Sequence, residues 1–145
     1  MIKAESGNIV VVRLQDGERL PEALAGLDLK AAAIPSGIGM LRDLVLGYWK
    51  GEEYVEETVE EPVELLSFQG NIGERDGEPV VHAHVVGGKP GGAAIGGHLL
   101  GATVHNTAEL VILRLPGIRM VRKPEPTGLA GLYPEIAGKA VTGDA

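Results

Sequence analysis

The sequence predicts an α+β fold: a mostly antiparallel β-sheet, partly barrel-like, with one main helix near the N-terminus. Three observations lead there. Short apolar and β-branched runs recur along the chain, parted by Gly, Pro and Asp-Gly turn signals. Only one segment carries a helical period. Aromatic residues make up 3% of a chain that is 44% hydrophobic. The core must therefore rest on Val, Leu, Ile and Ala, and β-branched residues among these favour strands.

Each element follows in order. Ile9–Leu14 is a β-branched run that reads as a buried strand, closed by the turn at Asp16-Gly17. A helix is expected from Pro21 to Leu29. Leu20, Leu24 and Leu27 share a face there, and Pro21 suits a first helical position. Ala31–Pro35 and Met40–Trp49 read as two strands around a turn at Ser36–Gly39. Tyr54–Glu61 alternates acidic residues and reads as an edge strand. Val63–Gln69 is apolar and strand-like. Val80–Val86 follows the turn at Asp76-Gly77. Gly87–Gly97 reads as a loop. His98–Val104 and Glu109–Leu115 read as the last two strands. From Pro116 onward Gly and Pro dominate, and the tail after about Glu135 is expected to be poorly ordered. With 145 residues, no internal repeat and no break in composition, residues 1–145 are expected to form one domain.

Composition excludes several chemistries. Without cysteine there are no disulfides, thiol nucleophiles or cysteine-held metals, so any metal must be held by His, Asp or Glu. No apolar stretch approaches the ~18 residues of a membrane span. Met1–Gln15 lacks a signal-peptide pattern, and a cytoplasmic protein is expected. Thirteen basic residues against twenty acidic ones give a net charge of −7. Duplex DNA is bound largely by neutralising phosphates with Lys and Arg, so direct DNA binding is disfavoured. The one basic cluster, Arg114, Arg119, Arg122 and Lys123, reads as a solvated strand end. Gly87–Gly92 lacks phosphate-loop spacing, and no Gly-x-Ser-x-Gly elbow is present.

The pointed feature is a histidine trio. His82 and His84 stand two apart in Val-Val-His-Ala-His-Val-Val. In a strand they share one face, while Val81, Ala83 and Val85 take the other and enter the core. Replacing valines by histidines costs packing and desolvation, which argues for a purpose. His98 follows Gly96-Gly97, and pairing of its strand with Val80–Val86 would complete a three-histidine set. Such a set suits zinc, which takes three protein ligands and keeps a fourth position open. Nickel, iron and manganese accept similar ligands. Hydrogen-bonded surface histidines are the plainer alternative. His105 is out of register with His98 and is not expected to join.

Carboxylates can add a ligand or a proton shuttle. Glu64 is out of place in the apolar run Val63–Phe68 and is the candidate catalytic residue. Glu109 is either a buried partner or a strand-end residue. Arg114 reads better as a salt-bridge partner than as an anion holder.

These residues also resemble the plants-and-prokaryotes conserved (PPC) domain. The matching segments are Pro35–Leu41 with Leu46-Gly47-Tyr48, Glu64–Ile72, Pro79–His84, Gly96–Leu99, and Val104 with Thr107-Ala108-Glu109. They stand in the family's order across about Ile9–Leu132. The resemblance implies an antiparallel α+β fold that assembles as a homotrimer, and it makes His82, His84 and His98 the family's histidines. In plants the domain follows a DNA-binding AT-hook and mediates protein contacts. Stand-alone prokaryotic members are called DNA-binding by analogy. No Arg-Gly-Arg-Pro hook occurs here. The fold is also similar to that of acetolactate decarboxylase, which has a His-x-His zinc site. Two functions follow as expectations. The first is a homotrimeric binding or regulatory module, DNA-associated by resemblance, with a metal and a small-molecule ligand near the histidines. The second is a zinc-dependent enzyme acting on a small oxo or hydroxy acid, with Glu64 moving protons.

Overall fold

The structure is a computed structural model and describes residues 1–139. Strands β1 (Ile2–Ser6), β2 (Ile9–Gln15) and β3 (Arg19–Leu20) lead into helix α1 (Glu22–Ala25). Then come β4 (Ala32–Trp49), β5 (Tyr54–Val59), β6 (Val63–Arg75), β7 (Glu78–Gly88), β8 (Ala94–Arg114), β9 (Ile118–Pro124) and β10 (Ala130–Ile136). One sheet holds all ten strands. Its pairings are antiparallel except for a single parallel bridge between Glu74 of β6 and Val121 of β9.

The centre of the sheet is a ring. β4 pairs with β6, β6 with β7, β7 with β8, and β8 returns to β4. Four strands close into a ring and the others attach outside it. The core is aliphatic. Leu41, Leu44, Leu110, Ile112, Val10, Val12, Ile34 and Ile72 are fully buried around one phenylalanine, Phe68. Burial alternates strictly along β2, with Val10, Val12 and Leu14 inward, as a strand with one wet face requires.

Several boundaries differ from expectation, each for a physical reason. The helix is one turn long instead of Pro21–Leu29. Pro21 is its cap rather than its first residue, and Gly26 ends it with only Leu24 fully buried. The two strands expected around Ser36–Gly39 are one strand, β4, which absorbs the turn-like residues as register shifts against β8. His98–Val104 and Glu109–Leu115 are likewise one strand, β8, in which Asn106 takes a left-handed conformation. Gly87–Gly97 is mostly strand. β7 and β8 run into it from both sides, and a single 3-10 turn at Pro90–Gly92 reverses the chain. The Gly- and Pro-rich stretch after Pro116 forms the hairpin of β9 and β10. Of the tail expected to be disordered, β10 reaches Ile136, and residues 140–145 lie outside the described residues. No described helix is long and apolar enough to cross a membrane.

Candidate metal centre

The site is built by register. β7 alternates as its sequence predicts: Ala83 and Val85 are buried, while His82 and His84 turn to the opposite face. In the β7–β8 ladder His84 stands directly opposite His98. On the other side of β7, Asn71 and Gln69 of β6 face His82 and His84. Three imidazoles from two adjacent strands thus meet on one patch. Their ring centroids form a nearly equilateral triangle with sides of 5.2, 5.3 and 5.6 Å. One ligand nitrogen from each ring lies within 4.8 Å of the others. The three expected ligands are therefore together, and the group can hold a metal ion.

Surroundings differentiate the rings. His98 stacks on Tyr54 of β5, with centroids 4.9 Å apart and planes inclined by 17°. Gly47, the register partner of His98 in β4, makes room for this. A methyl group there would come within 2.7 Å of the Tyr54 ring. Trp49 packs edge-on against Tyr54, with centroids 5.1 Å apart. His82 meets the guanidinium of Arg122 from β9, at 3.2 Å from Nη2 to Nδ1. The same Nη2 donates to Asn71 Oδ1 at 2.8 Å. β9 reaches this position because Gly73 of β6 has no side chain to strike the Met120 carbonyl.

At His82 and His98 electrostatics favour the neutral imidazole, the form that binds metals. Burial, then the charges of Arg122, His98 and His84, push His82 down to about 4. Burial, then His84, lowers His98 as well. Since a guanidinium only donates, Nδ1 of His82 must accept, and the proton of that neutral ring sits on Nε2.

The donor set fits a metal on two counts. One ring nitrogen from each of the three histidines stands within closing distance of the roughly 3.4 Å that separates ligands around a tetrahedral zinc. In addition, Nδ1 of His98 is buried with no hydrogen-bond partner, a costly state that needs a reason.

The other candidates lie elsewhere. Glu64 is exposed at the far end of β6, opposite Gly88. Five residue steps separate it from Gln69, roughly 16 Å along a strand. The structure does not bring it to the imidazoles of its own chain. Glu109 is exposed, opposite Arg13 and Ile38. Arg114 pairs with Glu5 at 3.0 Å and bonds the Gly7 carbonyl. His105 stays apart, its Nδ1 accepting from Nη1 of Arg42 at 3.3 Å. Sequence reasoning missed Tyr54, Asn71 and Arg122 as neighbours of the trio. Period-two spacing of Gln69 and Asn71 beside the histidine strand was the available signal. Arg122 gave none, because its place depends on the β9–β10 hairpin.

Fold and site together define a single-sheet domain that gathers three histidines from two neighbouring strands. The chain belongs to the Plants and Prokaryotes Conserved (PCC) domain family, whose model matches residues 1–116. A plant- and prokaryote-conserved (PPC) protein of Pyrococcus horikoshii is 35% identical, with a TM-score of 0.82 over 90% of this chain and 93% of that one. A metal-containing protein from Archaeoglobus fulgidus is 34% identical, with a TM-score of 0.79 over 92% of this chain and 99% of that one. A candidate DNA-binding protein of Bacteroides thetaiotaomicron is 25% identical, with a TM-score of 0.84 over 91% of this chain and 96% of that one. Among curated proteins, the bifunctional protein GlmU of a Synechococcus strain is 31% identical over 142 residues. The chain spans 94% of its own length in that match but only 21% of the relative's.

Proposed function

We propose that this protein is a homotrimeric binding module of its family, and that His82, His84 and His98 hold a divalent transition metal, zinc first, which receives a small ligand. The observation that carries this reading is the triangle of imidazoles with ligand atoms within 4.8 Å. The metal-containing relative supports it. A zinc ion with three protein ligands keeps an open position at which it polarises an oxygen ligand. The chain's own residues do the rest: the stacked ring of Tyr54 fixes the plane of His98.

Binding is favoured over turnover because no hydrogen bond or ion pair links a carboxylate to the three rings among the described residues. A proton-shuttling role for Glu64, as in the zinc-enzyme alternative, requires that assembly bring it in from a neighbouring chain. A net charge of −7 argues that any association with DNA runs through partners. The test is elemental analysis of protein purified without an affinity tag, beside a His82→Ala, His84→Ala double variant. About one metal per chain is expected in the wild type and almost none in the variant. Equal content in both would remove the site as described.

A further inference from the structure

The geometry points to Arg122 as the anchor for a small organic carboxylate that reaches from its guanidinium to the metal position; this deepens the metal-site reading and rests on it. Arg122 lies beyond the residues matched by the family model, on the hairpin that closes over the trio. It lines a cavity of about 220 Å³ together with His82, His98, Tyr54, Leu129 and Ala130.

Three observations converge on an anion. First, the protein carries twenty acidic residues, yet none of the ion pairs among the described residues involves Arg122. Its guanidinium is half-buried, holds only the neutral oxygens of Asn71 and Ala130 and a ring nitrogen, and leaves Nε buried without a partner. A partly desolvated cation without a counter-charge is costly, and an anionic ligand relieves that cost. Second, the contact with His82 cannot survive metal uptake by a neutral ring. An ion at Nδ1 displaces Arg122 directly. An ion at Nε2 sends the ring proton to Nδ1, where it faces another donor. Loading the site therefore frees a fork of N–H groups beside a cation. Third, the cavity is smaller than the ~300–1,000 Å³ of drug-sized sites, and Val80, Leu129 and Ala130 line it with apolar groups. A planar carboxylate on a short carbon chain matches the fork, the wall and the size.

The test is calorimetric titration of pyruvate, lactate and inorganic phosphate into zinc-loaded and metal-free protein, with metal content measured in every sample. Two variants accompany the wild type. Arg122→Gln removes the fork. Asn71→Asp leaves Arg122 in place and gives it an internal carboxylate where Asn71 Oδ1 now accepts. The proposal expects pyruvate or lactate to bind zinc-loaded wild type in preference to phosphate. It expects a weakening of about 10- to 100-fold in both variants, from loss of charge-assisted hydrogen bonds, with zinc content unchanged. Undiminished carboxylate binding in either variant, no carboxylate binding to wild type at millimolar concentration, or preference for phosphate would overturn it. If wild type takes up no zinc, the metal reading fails separately. Arg122-dependent carboxylate binding to the metal-free protein then still supports the anchor, and its absence overturns it. Should Arg122→Gln not fold, Asn71→Asp decides the outcome alone.

Discussion

At the scale of single residues, burial holds His82 and His98 below the usual histidine range, and that has a consequence for pH. His82 titrates at about 4 in the folded chain and near 6.5 when unfolded. Between those values the unfolded chain binds the extra proton, so its stability contribution is present above about pH 6.5 and is lost as pH falls towards 4. His98 is lowered too and acts in the same direction. Thermal melts of metal-free protein should fall in Tm from pH 7.5 to pH 5, and His82→Gln should show a shallower fall; equal slopes would contradict the assignment. Gly47 makes a second prediction. Its Cβ would press on Tyr54 and Leu100, so Gly47→Ala should destabilise by about 1–3 kcal/mol in chemical denaturation and disturb the Tyr54–His98 stack. The gathering of His82 and His84 was legible in the sequence because period-two alternation places them on one face without knowledge of anything distant. Tyr54 was not legible, since its contact depends on the space left by a glycine in another strand.

At the scale of elements, long strands replaced the shorter ones that local signals suggest. Ser36–Gly39 looks like a turn, but β4 is held by strands on both sides, and ladder hydrogen bonds outweigh local turn preference, leaving bulges as the trace. The hairpin of β9 and β10 was hidden for the converse reason. Its residues have weak strand propensity, and it is held by mutual pairing and by ion pairs of Arg119 with Glu74 and Glu135. Arg122 depends on it. A side chain at Gly73 would strike the Met120 carbonyl and lift β9. Gly73→Ala should therefore lower stability by about 1–3 kcal/mol and displace Arg122 while the β7–β8 register, and so metal content, is kept. Denaturant melts and metal analysis on that variant check both halves.

At the scale of the molecule, the aliphatic core follows directly from a composition poor in aromatics, and the antiparallel sheet follows from closely spaced turns. The apolar outer face of β2 and β8 needs a different account. Ile9, Val11 and Leu113 are exposed and adjacent, with Ile9 opposite Leu113 and Val11 opposite Val111. A contiguous exposed apolar face marks a contact surface, and the proposed trimer would cover it. Sedimentation equilibrium should give three chains for the wild type and a lower mass for Val11→Glu with Leu113→Lys. An unchanged trimer in that variant would move the interface elsewhere.

The central claim is that three imidazoles of one chain share one ion. Anomalous diffraction from crystals of the untagged, zinc-loaded protein, recorded on both sides of the zinc edge, addresses it directly. The account predicts one strong peak per chain within bonding distance of His82, His84 and His98. A peak bound by other residues, or zinc-loaded crystals with density for water alone among the three rings, would contradict it.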